Sequence, residues 1–172
     1  MTDLKKAIRD IPDFPKPGII FKDITPLLAD GALYRQTIDQ LKARYMNKKI
    51  DVVVGIEARG FIFASSLAYA LGAGLVIVRK PRKLPYKTYK ETYSLEYGTD
   101  TIEIHQDAIK PGHNVLVIDD VLATGGTVAA ALELLRKNFK GTIEELIFII
   151  ELDFLKGREK LKGIPIHSLI HY

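Results

Sequence analysis

Residues 115–127, Val-Leu-Val-Ile-Asp-Asp-Val-Leu-Ala-Thr-Gly-Gly-Thr, constrain this chain more than any other segment. Four apolar residues run into Asp119 and Asp120, then into Ala123, Thr124, Gly125, Gly126 and Thr127, and on into a helix-forming stretch. A continuous Val/Ile-rich run suits a strand covered on both faces, as in a parallel α/β sheet. Such a strand would end at the carboxylate pair, turn through small residues and start a helix. The first turn of a helix carries backbone N–H groups without intrahelical acceptors, at the positive end of the dipole. With the threonine hydroxyls added, that turn suits a phosphate monoester. The two acids suit the vicinal hydroxyls of a ribose, or a Mg²⁺ associated with them. A phosphate seat beside a diol seat points to ribose 5-phosphate. In the plainer reading of the same residues, the acids only end a strand and the glycines only make a turn. Two similar motifs are excluded. A Walker A loop needs Gly-Lys-Ser/Thr, and no lysine occurs between Val115 and Glu133; Gly72-Ala-Gly74 precedes a strand, so it is no dinucleotide loop.

The remaining chain alternates strand and helix patterns, the mark of an open α/β sheet. Strands are expected at 52–56, 75–79, 115–119, 146–151 and 166–170, and helices at 33–47, 60–71, 124–138 and 154–161. The last of these carries Lys156-Gly-Arg-Glu-Lys160, expected to be a solvated face. Two regions break the rhythm. Residues 11–28 hold four of the eight prolines and read as a stiff irregular segment. Residues 80–97 combine seven charged residues with four tyrosines, and read as a mobile flap followed by a hairpin ending near His105.

At 172 residues the chain is expected to form a single domain: an N-terminal part over 1–33, then an α/β core over 34–172 that contains the flap. The net charge of +4 is spread among interspersed acids, so a polyphosphate substrate accounts for it as well as nucleic acid does. The absence of cysteine excludes disulfides and thiolate chemistry. No leader-like segment or apolar run of 18 residues is evident, so the expected location is the cytoplasm, with no membrane or nucleic-acid partner. His167 and His171 are read as strand residues rather than metal ligands.

Further site candidates follow the expected strand ends, where α/β sheets gather ligands. Gly55-Ile-Glu57-Ala58-Arg59-Gly60 follows one strand, and Arg59 offers a forked donor for a phosphate or a ring nitrogen, or else a helix cap. Arg79, Lys80, Arg82 and Lys83 form a basic cluster that suits a multiply charged leaving group, or is an ordinary solvated loop.

The segment 115–127 resembles the 5-phosphoribosyl-1-pyrophosphate (PRPP) signature of the type I phosphoribosyltransferases. The whole length is similar to the adenine phosphoribosyltransferase family. The supporting segments are Phe14-Pro-Lys-Pro-Gly-Ile-Ile-Phe-Lys-Asp-Ile-Thr-Pro26, 55–61, 79–85, Tyr93-Ser-Leu-Glu-Tyr-Gly98, 151–160 and Ser168-Leu-Ile-His-Tyr172. The resemblance implies a type I phosphoribosyltransferase fold: a central parallel sheet flanked by helices, a small N-terminal hood and a flexible flap or hairpin. It further implies a homodimer in which basic residues can reach the neighbouring site, and Mg²⁺-dependent transfer from PRPP to adenine N9, giving AMP and pyrophosphate. Residues 123–127 would grip the 5-phosphate. Glu57, Ala58, Arg59, Arg79, Lys80 and Lys83 would take the pyrophosphate, with a strained or cis peptide between Glu57 and Ala58. Ile20, Phe21, Lys22 and Arg59 would meet adenine, Ile20 through its backbone and Phe21 by stacking. Lys22 stands where some relatives have arginine. Glu96 would act as the acid at adenine N7, or is a solvent-facing strand charge. Asp119 and Asp120 would hold the ribose, with Mg²⁺ carried mainly by PRPP. The rivals are a 6-oxopurine phosphoribosyltransferase and a non-enzymatic PRPP-sensing regulator of the same fold.

Overall fold

The structure is a computed structural model that describes residues 3–94 and 98–172. It divides into two units, Met1–Arg44 and Tyr45–Tyr172. In the first, a 3₁₀ turn (Leu4–Ala7) precedes strand β1 (Arg9–Ile11), strand β2 (Phe21–Asp23), the short helix α1 (Thr25–Ala29) and the start of helix α2 (Gly31–Tyr45). β1 and β2 pair antiparallel, with Ile11 opposite Phe21 and Arg9 opposite Asp23. The segment expected to be irregular thus contains a hairpin and one helical turn. Its prolines explain why both survive. Pro12, Pro15 and Pro17 lie in the connection between the strands, where no ladder donor is lost. Pro26 occupies the first turn of α1, where an N–H would lack an acceptor anyway.

The second unit is built on a five-stranded parallel sheet in the order β4-β3-β7-β8-β9. Its strands are β3 (Val52–Ile56), β4 (Gly74–Val78), β7 (Asn114–Leu122), β8 (Thr142–Glu151) and β9 (Ile166–His171). Strand β3 leads through helix α3 (Gly60–Leu71) to β4 on one side, and β7 leads through helix α4 (Gly126–Asn138) to β8 on the other. The chain therefore reverses its direction of travel between β3 and β7. A crevice opens at the carboxyl ends of strands at such a switch point.

Both faces of the sheet are covered, which is why the central strands carry unbroken apolar runs at 52–56, 115–118 and 146–150. On one face, Gly55 of β3 lies so close to α3 that an added Cβ would meet Ala64 Cβ at 2.7 Å. On the other, Val54, Ile56 and Val117 join Ala131, Leu132 and Leu135 of α4 in one core. Strands β5 (Thr88–Ser94) and β6 (Thr99–His105) form an antiparallel hairpin that contributes Ile102 and Ile104 to that core. The alternation Thr88-Tyr-Lys-Glu-Thr-Tyr-Ser94 favours pairing. As a result β5 takes up much of the expected flap, and the irregular stretch before it is only 79–87.

The expected helix at 154–161 is absent. Two 3₁₀ turns, Asp153–Leu155 and Gly157–Lys160, stand in its place, broken by Lys156 at φ +53°. Truncating a core side chain should register directly on the stability of the sheet. Phe148→Ala, at a fully buried site on β8, is expected to cost about 3–5 kcal/mol in urea unfolding. A loss below about 1 kcal/mol would mean that the core collapses around the cavity.

Candidate active site

The crevice at the β3/β7 switch point is bordered by two turns. The first runs from Glu57 to Gly60, and the peptide bond between Glu57 and Ala58 is cis, as the resemblance implied. The second leaves β7, which runs past the expected end at 119 and carries Asp119 and Asp120 near its carboxyl end, and passes through 123–125 into α4. The two turns are pressed together at Gly60. A Cβ added there would lie 2.9 Å from Asp119 Oδ1 and 2.9 Å from the carbonyl oxygen of Ile118. Glycine is required at this point because no side chain fits between α3 and the acid.

Asp120 is buried, and its Oδ2 sits 2.7 Å from Arg59 Nε. That oxygen has the ion pair but no aligned hydrogen bond. Burial pushes the Asp119 carboxyl well above the usual carboxylate range, and the negative Asp120 beside it adds to the effect. The Asp120 N–H donates to Asp119 Oδ1 at 2.9 Å and works the other way. Asp120 is also raised by burial, with Arg59 opposing. Two carboxylates crowded together and short of water favour any ligand that brings hydrogen-bond donors or positive charge.

Beyond them, Leu122, Ala123, Thr124, Gly125, Gly126, Thr127 and Asp119 help to line a cavity of about 90 Å³. Gly125 caps α4 at φ +76°, a conformation natural to glycine. The first N–H groups of α4 therefore point into the turn without intrahelical partners. The polar end of this loop is tied to the hairpin, since Tyr93 Oη lies 3.1 Å from Thr127 Oγ1 and donates to Asp100 Oδ2 at 3.3 Å.

Two members of the basic cluster, Arg79 and Lys80, are already paired with acids. Arg79 Nε and Nη2 each donate to the Glu57 carboxylate at 3.2 Å, and the Lys80 N–H donates to Glu57 Oε2 at 2.7 Å. Burial opposes the charge on Glu57, but these donors outweigh it and hold the carboxyl below its usual range. Lys80 Nζ pairs with Asp100. The Lys83 carbonyl accepts from Arg79 Nη1 at 3.3 Å. Glu57, Arg59, Arg79, Lys80, Asp119, Asp120 and 123–127 thus belong to one unit and one end of its sheet. Ile20, Phe21 and Lys22 lie in the first unit: Ile20 is exposed, Phe21 packs edge-on against Phe14 at 5.3 Å, and Lys22 pairs with Asp10 at 2.6 Å. Glu96 lies outside the described residues.

The phosphoribosyl transferase domain model matches residues 24–151. An adenine phosphoribosyltransferase of Syntrophotalea carbinolica is 58% identical over 172 residues, the full length of both chains. The chain belongs to the adenine phosphoribosyltransferase family. The crystal structure of the Thermoanaerobacter pseudethanolicus adenine phosphoribosyltransferase superposes with a TM-score of 0.92 at 49% identity, covering 98% of each chain. The Saccharomyces cerevisiae enzyme, complexed with adenine and an imino-altritol bisphosphate, gives a TM-score of 0.90 at 45% identity over 96% of each chain. The type I phosphoribosyltransferase fold follows from the sheet order and these superpositions.

Several contacts at the site were not anticipated from sequence. Asp100, which with Tyr93 joins the basic loop to Thr127, carries no motif of its own. Gly60 read as a helix start and a place of close backbone approach, but its contact with Asp119 was not evident. Arg158 read as solvated, yet it donates to the buried Glu151 carboxylate, with Nη2–Oε2 at 2.6 Å. Of the histidines, His171 Nδ1 lies 2.9 Å from Asp153 Oδ1 and 3.9 Å from Glu151 Oε2. Glu151, Asp153 and His171 are close enough to share a cation, but Glu151 is already committed to Arg158 and Ser168.

The acid pair has a pH signature. A carboxyl whose folded pKa is raised favours the folded state below its unfolded value of about 3.9. That contribution is lost as pH rises through the raised value. In Asp120→Asn the neighbouring charge is gone, so the Asp119 titration, followed by carboxyl ¹³C NMR, should move to lower pH. An unmoved titration would mean that burial alone sets it.

Proposed function

We propose that this protein transfers ribose 5-phosphate from PRPP to N9 of adenine, releasing AMP and pyrophosphate, as a purine-salvage enzyme of the cytoplasm. The observation that carries the reading is the switch-point crevice. There Asp119 and Asp120 lie between two backbone turns suited to anions, Glu57–Gly60 on one side and 123–127 on the other. Full-length identity of 58% to an adenine phosphoribosyltransferase supports the choice within the family.

In this reading the α4 N-terminus and the hydroxyls of Thr124 and Thr127 receive the 5-phosphate. Asp119 and Asp120 accept hydrogen bonds from the ribose 2′- and 3′-hydroxyls, and their negative charge favours the positive character that develops at C1′ as its bond to the pyrophosphate oxygen breaks. Arg59, Arg79, Lys80 and Lys83, with the backbone at Glu57 and Ala58, take the departing pyrophosphate. To do so Arg79 and Lys80 exchange Glu57 and Asp100 for the incoming phosphates. No covalent nucleophile is needed, because positioning and electrostatics account for the acceleration. Mg²⁺ would be held mainly by PRPP, beside Asp119 and Asp120, where it would neutralise pyrophosphate charge. Adjacent carboxylates, one half-buried and the other buried with an oxygen that lacks an aligned hydrogen bond, fit a hard cation with oxygen ligands.

Adenine is read in this proposal by the backbone of Ile20, with Phe21 against the ring and Lys22 nearby. Adenine offers an N6 donor beside an N1 acceptor, and hypoxanthine offers the reverse. One C=O and one N–H therefore match adenine and oppose a 6-oxopurine twice. Each mismatch costs about 1–3 kcal/mol, which supports a preference of about 10²–10⁴. A homodimer is part of the same proposal: α3 and β4 expose Tyr69 (91%), Leu75 (45%) and Ile62 (36%), an apolar surface of the kind a second copy covers.

A spectrophotometric comparison of adenine, hypoxanthine, xanthine and guanine with PRPP and Mg²⁺ tests the substrate class. Faster turnover of hypoxanthine would establish the 6-oxopurine alternative, and PRPP binding without consumption of any base would establish a regulator. Converting both Asp119 and Asp120 to Asn should leave the circular dichroism unchanged and lower kcat/KM by at least about 100-fold. Near-normal turnover would remove the pair from the mechanism. In a folded Ile20→Pro variant, which lacks the N–H proposed to meet N1, adenine use should fall sharply while PRPP binding persists. Normal use would move base recognition elsewhere.

A further inference from the structure

The outer side of the 123–127 loop is not exposed to solvent. It rests on Gly157, whose backbone approaches so closely that a Cβ there would lie 2.2 Å from the Ala123 carbonyl oxygen and 2.9 Å from Leu122 Cδ1. The contact is reciprocal, since a Cβ on Gly125 would lie 2.6 Å from the Gly157 carbonyl oxygen. Two glycines from segments more than thirty residues apart thus meet backbone to backbone. Neither can acquire a side chain without moving the loop.

Gly157 has no regular helix to hold it. It opens the second of the two 3₁₀ turns, just after Lys156 at φ +53°. Its position is secured by its neighbour. Arg158 donates through Nε and Nη2 to the two oxygens of Glu151, the last residue of β8, and Ser168 Oγ donates to the same carboxylate at 2.5 Å. Glu151 is almost fully buried, so the pairing is shielded from water. β8 is in turn the parallel neighbour of β7, with Glu151 paired to Leu122, the residue that enters the loop. The Leu152 N–H closes the circuit on the Leu122 carbonyl at 2.9 Å.

We propose that Glu151, Arg158 and Gly157 are positioning residues for PRPP. Clamped to the end of β8, the Gly157 backbone is a backstop that sets the curvature of 123–127 and so aims its N–H groups at the 5-phosphate. The inference rests on the reading of that loop as the 5-phosphate seat. Arg158 touches no substrate; it acts through Gly157.

The test compares Gly157→Ala, Arg158→Lys and Thr127→Ala with the wild type, by calorimetric titration of ribose 5-phosphate and by separate KM values for PRPP and adenine. Gly157→Ala should weaken ribose 5-phosphate binding and raise the KM for PRPP by at least about 10-fold, since displacements near 1 Å cost that much or more at organised sites. The KM for adenine should stay within about 2-fold, because the base is read elsewhere. Arg158→Lys keeps the charge but loses the fork, so its defect should have the same pattern and be smaller than that of Gly157→Ala. A merely structural role would lower the fraction of active enzyme and leave both KM values unchanged, and that result overturns the proposal. Should Gly157→Ala fail to fold, Arg158→Lys decides alone: an unchanged KM for PRPP overturns the clamp, and a raised one supports it. If Thr127→Ala weakens ribose 5-phosphate binding while the folded Gly157 and Arg158 variants do not, only the clamp is wrong. If Thr127→Ala also leaves binding intact, the loop is not the phosphate seat, and the proposal falls with that reading.

Discussion

The site depends on the contact between Gly60 and Asp119. Two parallel strands side by side place their following turns at the same edge of the sheet, but adjacency alone leaves a gap the width of a side chain. Glycine closes that gap. With a Cβ at position 60 only 2.9 Å from the carboxylate and from the Ile118 carbonyl, any other residue would separate α3 from β7. The Glu57–Gly60 turn and the 123–127 turn would then no longer bound one crevice. The close packing of Gly55 against Ala64 brings α3 down onto β3 in the same way. Small residues set the interlayer distance here, and that distance sets the spacing between the two anion-binding turns.

Electrostatically the crevice is held under tension. Two neighbouring acids are deprived of water, with Arg59 as the cation against them, and burial raises both. An isolated fold would gain from replacing one of them, because like charges in a poorly hydrated place are costly. The basic loop shows the opposite arrangement, with Arg79 and Lys80 matched to Glu57 and Asp100. Positive charge is thus stored against acids of the same unit and stays close to the site. The exchange of a carboxylate for a phosphate of greater charge provides a driving force for substrate to reorganise that loop.

Much of the second unit is legible in its residues. Val52–Ile56 and 115–118 are unbroken apolar runs because both faces are covered, a pattern that marks a parallel central strand, while β7 itself continues through the acid pair to Leu122. Residues 123–127 are legible for a similar reason: a helix start after a strand confers anion affinity through local geometry. The misread segments are those whose conformation depends on distant partners. Residues 154–161 have enough charge to pass for a solvated helix, but the buried Glu151 draws Arg158 inward and the loop's backbone draws Gly157 inward. The strand β5 lay inside an apparent flap because the alternation of 88–94 favours a strand without naming its partner β6 or its packing against α4.

The amino-acid sequence by itself determined the class of fold, the order of its central elements, the acid pair and the phosphate turn, because each is encoded by residues adjacent in the chain. It also carried the family, through segments spread along its whole length. Tertiary structure decided which turns face each other, which cations are already neutralised, and what stands behind the phosphate loop. Those are distances between residues far apart in sequence, and they exist only after the strands have taken their order and the glycines at 55, 60, 125 and 157 have let backbone meet its neighbours at contact distance.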